Sequence, residues 1–600
     1  MCGIVFSEKS AVDPFLSTLS HRGPDGNGLL PEGAGQWGHT RLAIIDLNPE
    51  SSQPMVSVTG HSVLIFNGEI YNYQSLRSEL ELAGCQFRSK GDTEVVLNGL
   101  ETHGAAFAHR LDGMFAFVFL DRRTGTILLG RDTAGKNPMY YSTVNGLMVA
   151  SEIRTLQKLI GQPLTLSQTG LQQYIRYGTI PEPDTLWQEI RMFPSGCTGN
   201  WNGSSLTVTP IPLPTVQAAT GADSPETIRA SVRERVIRAT ERRLVADVPV
   251  ATFLSGGIDS SLLVGIQSKE LGRKPMTVSV IFDQKEHSEE DRIKKIVDHW
   301  KPDHQYLFVG SETVLDQIPE ALAAYDHPSM DGVNTWLVSK SVRARGIKVA
   351  LSGVGGDELF QGYNTFNQAR KLQQLRPLLH VLPSTLAGKN RQWQRAIESA
   401  TGYSPAQPMG AIRALYPESE IRNLTGPAYD GWRPFVSAID LDRLTNLKGD
   451  SLLIAQEWFG YMKQLLIRDT NIMSMASSLE VRAPFTDRDL LQYILSVPDE
   501  IKRPNQTKKE LLTTSCSDFL IPSIVQAPKS GFLLPMTRWM LGPLKPLMLS
   551  HLESLRLVND NDVLYRFAKS EWTRLDSGTT TWSRVWQWVV LGKVLRDGLS

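Results

Sequence analysis

Short apolar stretches punctuate the first third of the chain. Ser62–Phe66, Met114–Leu120, Gly125–Leu129 and Leu147–Ala150 are each bounded by Gly, Asn or Asp, which predicts strands joined by tight turns over residues 1–200. From Pro194 to Pro214 the chain carries no charge and is rich in Gly, Ser, Thr and Pro, as in a last hairpin followed by a linker. The period then changes. Ile228, Val232, Val236 and Ala239 recur at three- and four-residue spacing beside a basic face, which predicts an amphipathic helix. Val248–Leu254, Thr277–Phe282 and Lys348–Leu351 are apolar runs set between helical patterns, the signature of an α/β layer with a mostly parallel sheet. Beyond Asn364 the pattern is mainly helical. The expected division is a first domain over 2–205, a linker over 206–225 and a second domain over 226–600.

Composition narrows the field. Six hundred residues exceed what one core usually serves. Lys plus Arg and Asp plus Glu both number 62, for a net charge of zero, so no global footprint points to nucleic acid or to a membrane surface. The strongest apolar runs are too short to span a bilayer, and Met-Cys-Gly-Ile-Val-Phe has no basic stretch and apolar run of a secretory leader. Four cysteines, none in a C-x-x-C pair, argue against a disulfide scaffold or a cysteine zinc site and for a reducing cytoplasm.

Removal of Met1 would make Cys2 the first residue. It would then unite a thiol, of ordinary pKa about 8.5, with an α-amine of about 7.7–8.0, a nucleophile and a general base in one residue. His21-Arg-Gly-Pro-Asp25, His39–Asp46, Phe66-Asn-Gly-Glu-Ile-Tyr-Asn72, Gly91-Asp-Thr-Glu94 and Gly113–Phe117 follow in that order. Together these residues resemble the glutaminase domain of asparagine-synthetase-type amidotransferases, N-terminal-nucleophile enzymes with an αββα sandwich. The resemblance implies that Cys2 attacks the side-chain amide of glutamine. It implies that Asn67 and the Gly68 N–H form the oxyanion hole, that Arg41 clamps the α-carboxylate, and that Glu69 and Asp92 hold the α-ammonium.

Two glycine-rich stretches compete as the nucleotide site. Gly130–Asn137 nearly fits G-x-x-x-x-G-K-[ST], but Asn137 lacks the metal-ligating hydroxyl and Pro138 follows at once; in the family this stretch is a structural turn. Leu254-Ser-Gly-Gly-Ile-Asp-Ser-Ser261 instead follows a strand and opens a helix. Its glycines let backbone approach a polyphosphate, and its hydroxyls and helix-end N–H groups face the anion. It resembles the loop of enzymes that split ATP between its α and β phosphates, the adenine-nucleotide-α-hydrolase-like (PP-loop) fold. By that likeness Leu254, Ser255, Gly256, Gly257, Asp259 and Ser260 bind ATP, with Val280 against adenine. Leu351-Ser-Gly-Val-Gly-Gly-Asp-Glu-Leu-Phe360 resembles the second phosphate motif. It adds Ser352 and Gly353 to the nucleotide site and pairs Asp357 with Asp259 as Mg²⁺ ligands, oxygen donors suited to a hard cation. Ser474–Phe485 and Pro528-Lys-Ser-Gly-Phe532 extend the likeness; Lys529 would meet developing phosphate charge, and Arg468 is a second phosphate candidate.

The implied chemistry is a glutamine- and ATP-dependent amide ligase. A carboxylic acid is adenylated, and ammonia released at Cys2 passes inside the protein to the acyl-adenylate. The partners are small molecules (glutamine, ATP and the acid), and a homodimer is left open. The family's usual acceptor is L-aspartate, giving L-asparagine. Val354, however, stands where asparagine synthetases carry Asp or Glu, and Gln361 and Thr486 also depart from the pattern. Tyr325–Pro328 and Asp331–Thr335 are candidate acceptor loops. The alternatives are the same chemistry on another carboxylate, in secondary-metabolite or polysaccharide assembly, and, more remotely, a non-synthetic scaffold with residual glutaminase.

Overall fold

The computed structural model describes the chain except residues 33–34, 214–218, 220–222, 283–288, 382–387, 389, 402–407, 427–430, 432, 529–533, 559–561 and 600. Among the described residues, twelve strands build the first domain: β1 (Gly3–Ser7), β2 (Gly26–Glu32), β3 (Gly35–Arg41), β4 (Met55–Val56), β5 (Ser62–Ile70), β6 (Gly113–Asp121), β7 (Thr126–Arg131), β8 (Tyr140–Ser142), β9 (Met148–Ala150), β10 (Arg191–Met192), β11 (Cys197–Trp201) and β12 (Leu206–Pro210). They form two six-stranded sheets, ordered β10-β8-β9-β1-β3-β2 and β12-β11-β7-β6-β5-β4, every pair antiparallel.

Strand β5 explains why its pattern is continuous rather than alternating. Val63 and Ile65 face the layer between the sheets, packed with Ile4, Phe6, Val118 and Leu129. Phe66 and Leu64 face outward under Leu76, Val95 and Leu100 of the helices Tyr73–Leu82 and Asp92–His103. The other sheet is covered in the same way, with Val5, Met148 and Ala150 beneath Ile153, Leu156 and Ile175. Two sheets between two helical layers make the expected αββα sandwich. Strand β12 lies in the span expected to be linker, yet it pairs with β11 from Leu206 to Pro210, because Asn202, Gly203, Ser204 and Ser205 turn the chain straight back.

The helix Pro225–Arg242 opens the second domain. Ser224 caps it, and the four apolar residues at its helical spacing are all buried. The sheet behind it is wholly parallel, ordered β15-β14-β13-β16-β17, from β13 (Val250–Phe253), β14 (Met276–Phe282), β15 (Asp303–Val309), β16 (Val349–Leu351) and β17 (Glu480–Arg482). Strand β17 returns to the sheet after a long helical excursion. The loops that leave β13 and β16 are therefore neighbours at the carboxyl end of the sheet, the usual place for a ligand in an open parallel sheet.

The two domains share one core. Tyr174 and Ile175 of the first are buried with Trp586, Val590 and Leu591 of the second. The helix Trp582–Leu599 is tied across by Tyr174 Oη donating to the Gln587 carbonyl at 2.7 Å and by Gln587 Nε2 donating to the Tyr174 carbonyl at 2.6 Å. Among the described residues, no helix is long and apolar enough to cross a membrane.

Candidate functional site

Cys2 immediately precedes β1 and is buried. Its backbone N–H donates to Asn67 Oδ1 at 2.7 Å and its Sγ accepts from the Leu42 N–H at 3.4 Å. Burial pushes the thiol's pKa up, against the lowering effect of the nearby N-terminal ammonium. Met1 is itself buried, and its ammonium pairs with Glu480 of the second domain. Asn67 and Gly68 lie on β5 opposite Ala116 and Phe115. Asn67 Nδ2 is buried with no partner among the described residues, a donor left for an incoming oxygen. A Cβ on Gly68 would stand 2.2 Å from the Met114 carbonyl oxygen, so only glycine fits there.

The acids expected to hold an ammonium are side by side. Burial raises Glu69 well above the usual carboxylate range, with Glu480 and Asp92 adding to the shift. Burial likewise lifts Asp92 to about 6, although its Oδ2 accepts from the Ile70 N–H at 2.8 Å. Two buried acids this close resist sharing their charge, and the buried Arg482 guanidinium already faces Glu69 at 3.7 Å. Arg41 is half-buried and donates to the carbonyls of Asp46 and Asn48 at 2.5 and 3.0 Å, which fixes the guanidinium. The competing Gly130–Asn137 stretch is structural: Arg131 is buried and donates to the carbonyls of Gly135, Asn137 and Phe193.

The second site takes shape on the loops that leave β13 and β16. A cavity of about 400 Å³ is lined by Leu254, Ser255, Gly257, Asp259, Ser260 and Val280 from one side and by Ser352, Gly353 and Asp357 from the other. Gly256 makes the left-handed turn of the loop at φ 70, where a side chain would be strained. The Ser255 and Ser260 hydroxyls lie 3.2 Å apart. Asp259 and Asp357, from different loops, converge on one ammonium: Lys509 Nζ lies 2.5 Å from Asp259 Oδ2 and 2.8 Å from Asp357 Oδ1. Glycines permit this closeness, since a Cβ on Gly362 would lie 1.8 Å from Asp357 Oδ1 and 2.5 Å from Lys509 Cε. Lys509 had no motif to announce it, beyond a Lys-Lys pair in a polar segment.

Several expectations relocate. Of the three departures grouped around the acceptor, only Val354 lines the cavity. Gln361 is buried at φ 58 and bonds Arg370, while Thr486 Oγ1 donates to the Ala483 carbonyl at 2.7 Å beside the domain interface. Asn334 and Thr335 line the cavity, but Asp326 instead accepts from the backbone N–H groups of Ile153 and Arg154. Arg468 is absent from the cavity lining. It is buried and donates to the Ile180 carbonyl of the first domain at 2.8 Å, since its helix turns that face toward the other domain. Lys529 lies outside the described residues.

An N-terminal-nucleophile glutaminase fold docked on a parallel-sheet nucleotide domain defines a glutamine-hydrolysing amide ligase. Residues 231–595 match the family model "Asparagine synthase" and residues 1–210 the model "Glutamine amidotransferase domain". The chain belongs to the asparagine synthase family. It is 29% identical over 551 residues to asparagine synthetase [glutamine-hydrolyzing] 1 of Bacillus subtilis (strain 168), covering 87% of this chain and 83% of the relative. It is 26% identical over 591 residues to amidase chry2 of Gibberella zeae, covering 88% and 85%. It is 28% identical over 650 residues to amidase chyE of Penicillium rubens, covering 96% and 93%.

Proposed function

We propose that the chain uses ATP to activate a carboxylic acid and ammonia from glutamine to amidate it, with a glutaminase unit ending near residue 210, after β12, and a synthetase unit from residue 226. The convergence of Asp259 and Asp357, which both line the loop-bounded cavity, on the Lys509 ammonium is the observation that carries this reading. In the first unit, once Met1 is trimmed, the freed α-amine takes the Cys2 thiol proton, the thiolate attacks the amide carbon of glutamine, and the proton passes to the departing nitrogen. Asn67 Nδ2 and the Gly68 N–H meet the oxyanion, ammonia leaves, and water then releases glutamate from the thioester. Arg41 orients the α-carboxylate, and Glu69 and Asp92 the α-ammonium. In the second unit the acid's carboxylate attacks the α-phosphorus and pyrophosphate departs. Ammonia then attacks the acyl carbon, and AMP leaves in place of hydroxide. Lys529 is assigned to the phosphate charge.

The residues suit Mg²⁺. Lys509 already shows that the two carboxylates close around a positive charge, and Mg²⁺ is commonly held by one or two carboxylates together with substrate phosphates. When bound there it would neutralise phosphate charge; Asp259 and Asp357 would hold it. A reducing cytoplasm suits the four free cysteines.

L-aspartate is the acceptor that the family name suggests. Val354 favours a second reading, another carboxylic acid, because an aliphatic side chain faces the cavity where it can neither accept a proton nor hold an ammonium; two relatives named amidase accord with it. ATP–pyrophosphate exchange over a panel of acids that includes aspartate tests both readings. Exchange with aspartate above all other acids selects the first, exchange with another acid selects the second, and none with any acid refutes the synthetase assignment.

A further inference from the structure

Asn471 belongs to the second domain, on the helix Arg468–Met475, and is 1% exposed. Its side-chain amide nevertheless works in the first domain. Its Oδ1 accepts from Arg22 Nη2 at 2.9 Å, and its Nδ2 donates to Asn137 Oδ1 at 3.1 Å and meets Met1 Sδ at 2.7 Å. The chemistry of the partners fixes these directions. A guanidinium can only donate, so the Asn471 oxygen must face Arg22. Asn137 Nδ2 faces two carbonyl oxygens, those of Asn67 at 2.7 Å and Met114 at 3.3 Å, so its own oxygen must turn to Asn471.

Both arms end on Cys2. Arg22 Nε donates to the Cys2 carbonyl at 3.1 Å. Asn137 holds the Asn67 backbone, and Asn67 Oδ1 accepts from the Cys2 N–H at 2.7 Å. One side chain from the synthetase half thus braces the Cys2 nitrogen and the Cys2 carbonyl, on either side of the thiol. Trimming of Met1 would remove the sulfur contact and leave both arms standing. The brace also begins beside the other site: Thr470, the preceding residue, and Leu466, one turn earlier, line the nucleotide cavity.

We propose that Asn471 is a positioning residue for glutamine hydrolysis, a synthetase-domain side chain that holds the Cys2 backbone and the oxyanion-hole strand in register through Arg22 and Asn137. The proposal rests on Cys2 as the nucleophile. A near-attack geometry set by such supports loses rate steeply when they loosen, whereas a residue that merely fills the interface would affect both halves alike.

The test compares full-length wild type, Asn471→Ala and Asn471→Asp in glutaminase kcat and KM, in ATP affinity by calorimetry and in thermal unfolding midpoint. Asn471→Ala is expected to lower glutaminase kcat about tenfold or more, to change KM less than about threefold, and to leave ATP affinity and the unfolding midpoint near wild type. Asn471→Asp, which keeps the acceptor for Arg22 and loses the donor to Asn137, should fall between. Should Asn471→Ala not fold, Asn137→Ala cuts one arm from the other side, and it should show the same kcat loss with ATP affinity kept. An unchanged glutaminase kcat, or a parallel loss of ATP affinity, overturns the proposal while Cys2 keeps its role. Glutaminase activity that survives Cys2→Ala overturns the underlying reading and the proposal with it.

Discussion

At the scale of single residues, burial does most of the chemistry's preparation. Cys2 and Asn67 are bonded to each other through main chain and amide, so the thiol and its proposed oxyanion donor are set together. Cys2→Ala is expected to abolish glutamine-dependent product and spare synthesis from added ammonium, because only one half-reaction uses the thiol; equal loss with both nitrogen sources would contradict two separate sites. Asp92, lifted to about 6 by burial, gives a pH prediction. Below about pH 6 its carboxylate takes up a proton and ceases to attract the α-ammonium. Glutamine kcat/KM should therefore fall on that acid limb, and Asp92→Asn should be low throughout and lack the limb. A wild-type profile flat from pH 7 to 5 would exclude this role. Val354→Glu probes the acceptor. If the acid is not aspartate, a carboxylate on that wall costs several kcal/mol or stays protonated, and turnover of the best acid from the exchange screen should drop. Increased asparagine formation in that variant would instead favour aspartate.

At the scale of elements, two loops and one lysine decide the synthetase site. The β13 and β16 loops reach each other because their strands are parallel neighbours, and Lys509 locks their carboxylates from a third segment at its own left-handed φ of 52. Gly362 is the spacer that lets the trio close. Gly362→Ala should push Asp357 and Lys509 apart and lower ATP–pyrophosphate exchange severalfold, as Asp357→Asn should abolish it; glutaminase should stay within about twofold in both. Full exchange in Asp357→Asn would remove that residue from the proposed metal site.

At the scale of the whole molecule, the domains are joined by buried charge as well as by apolar packing. Glu182 of the first domain lies 2.8 Å from Lys463 of the second and 3.1 Å from Arg131. Burial alone would raise its pKa, but Lys463 and Arg131 prevail and hold it at about 2. A depressed carboxylate stabilises the fold fully above the unfolded value of about 4.3, and that stabilisation is lost as pH falls through the folded value. The difference of about two units corresponds to roughly 3 kcal/mol. Wild type should thus lose stability steeply between about pH 4.3 and 2. Glu182→Gln should be less stable at pH 7 and flatter in that window, measured by denaturant unfolding; a parallel pH dependence in the two proteins would show that Glu182 is not the group responsible.

The sequence alone determined the local pieces. Strand β5, the amphipathic helix that carries Ile228 to Ala239 and the Ser255–Ser261 loop follow from apolar period, turn residues and glycine placement, which act over a few residues and leave their mark in order along the chain. The resemblance brought Cys2, Asn67, Asp259 and Asp357 into view because their motifs are contiguous. Only tertiary structure decided what distant segments share. It carried the first domain past residue 205 to β12, turned Gln361 and Thr486 away from the acceptor and Arg468 away from the phosphates, and brought Lys509 between two aspartates some 150 and 250 positions away. It also set Asn471, 469 residues from Cys2 by number, within two hydrogen bonds of it. A polar side chain buried far from its sequence neighbours carries no periodic signal. Its partners are fixed by the packing of whole elements, and the bonds they make are legible only once that packing exists.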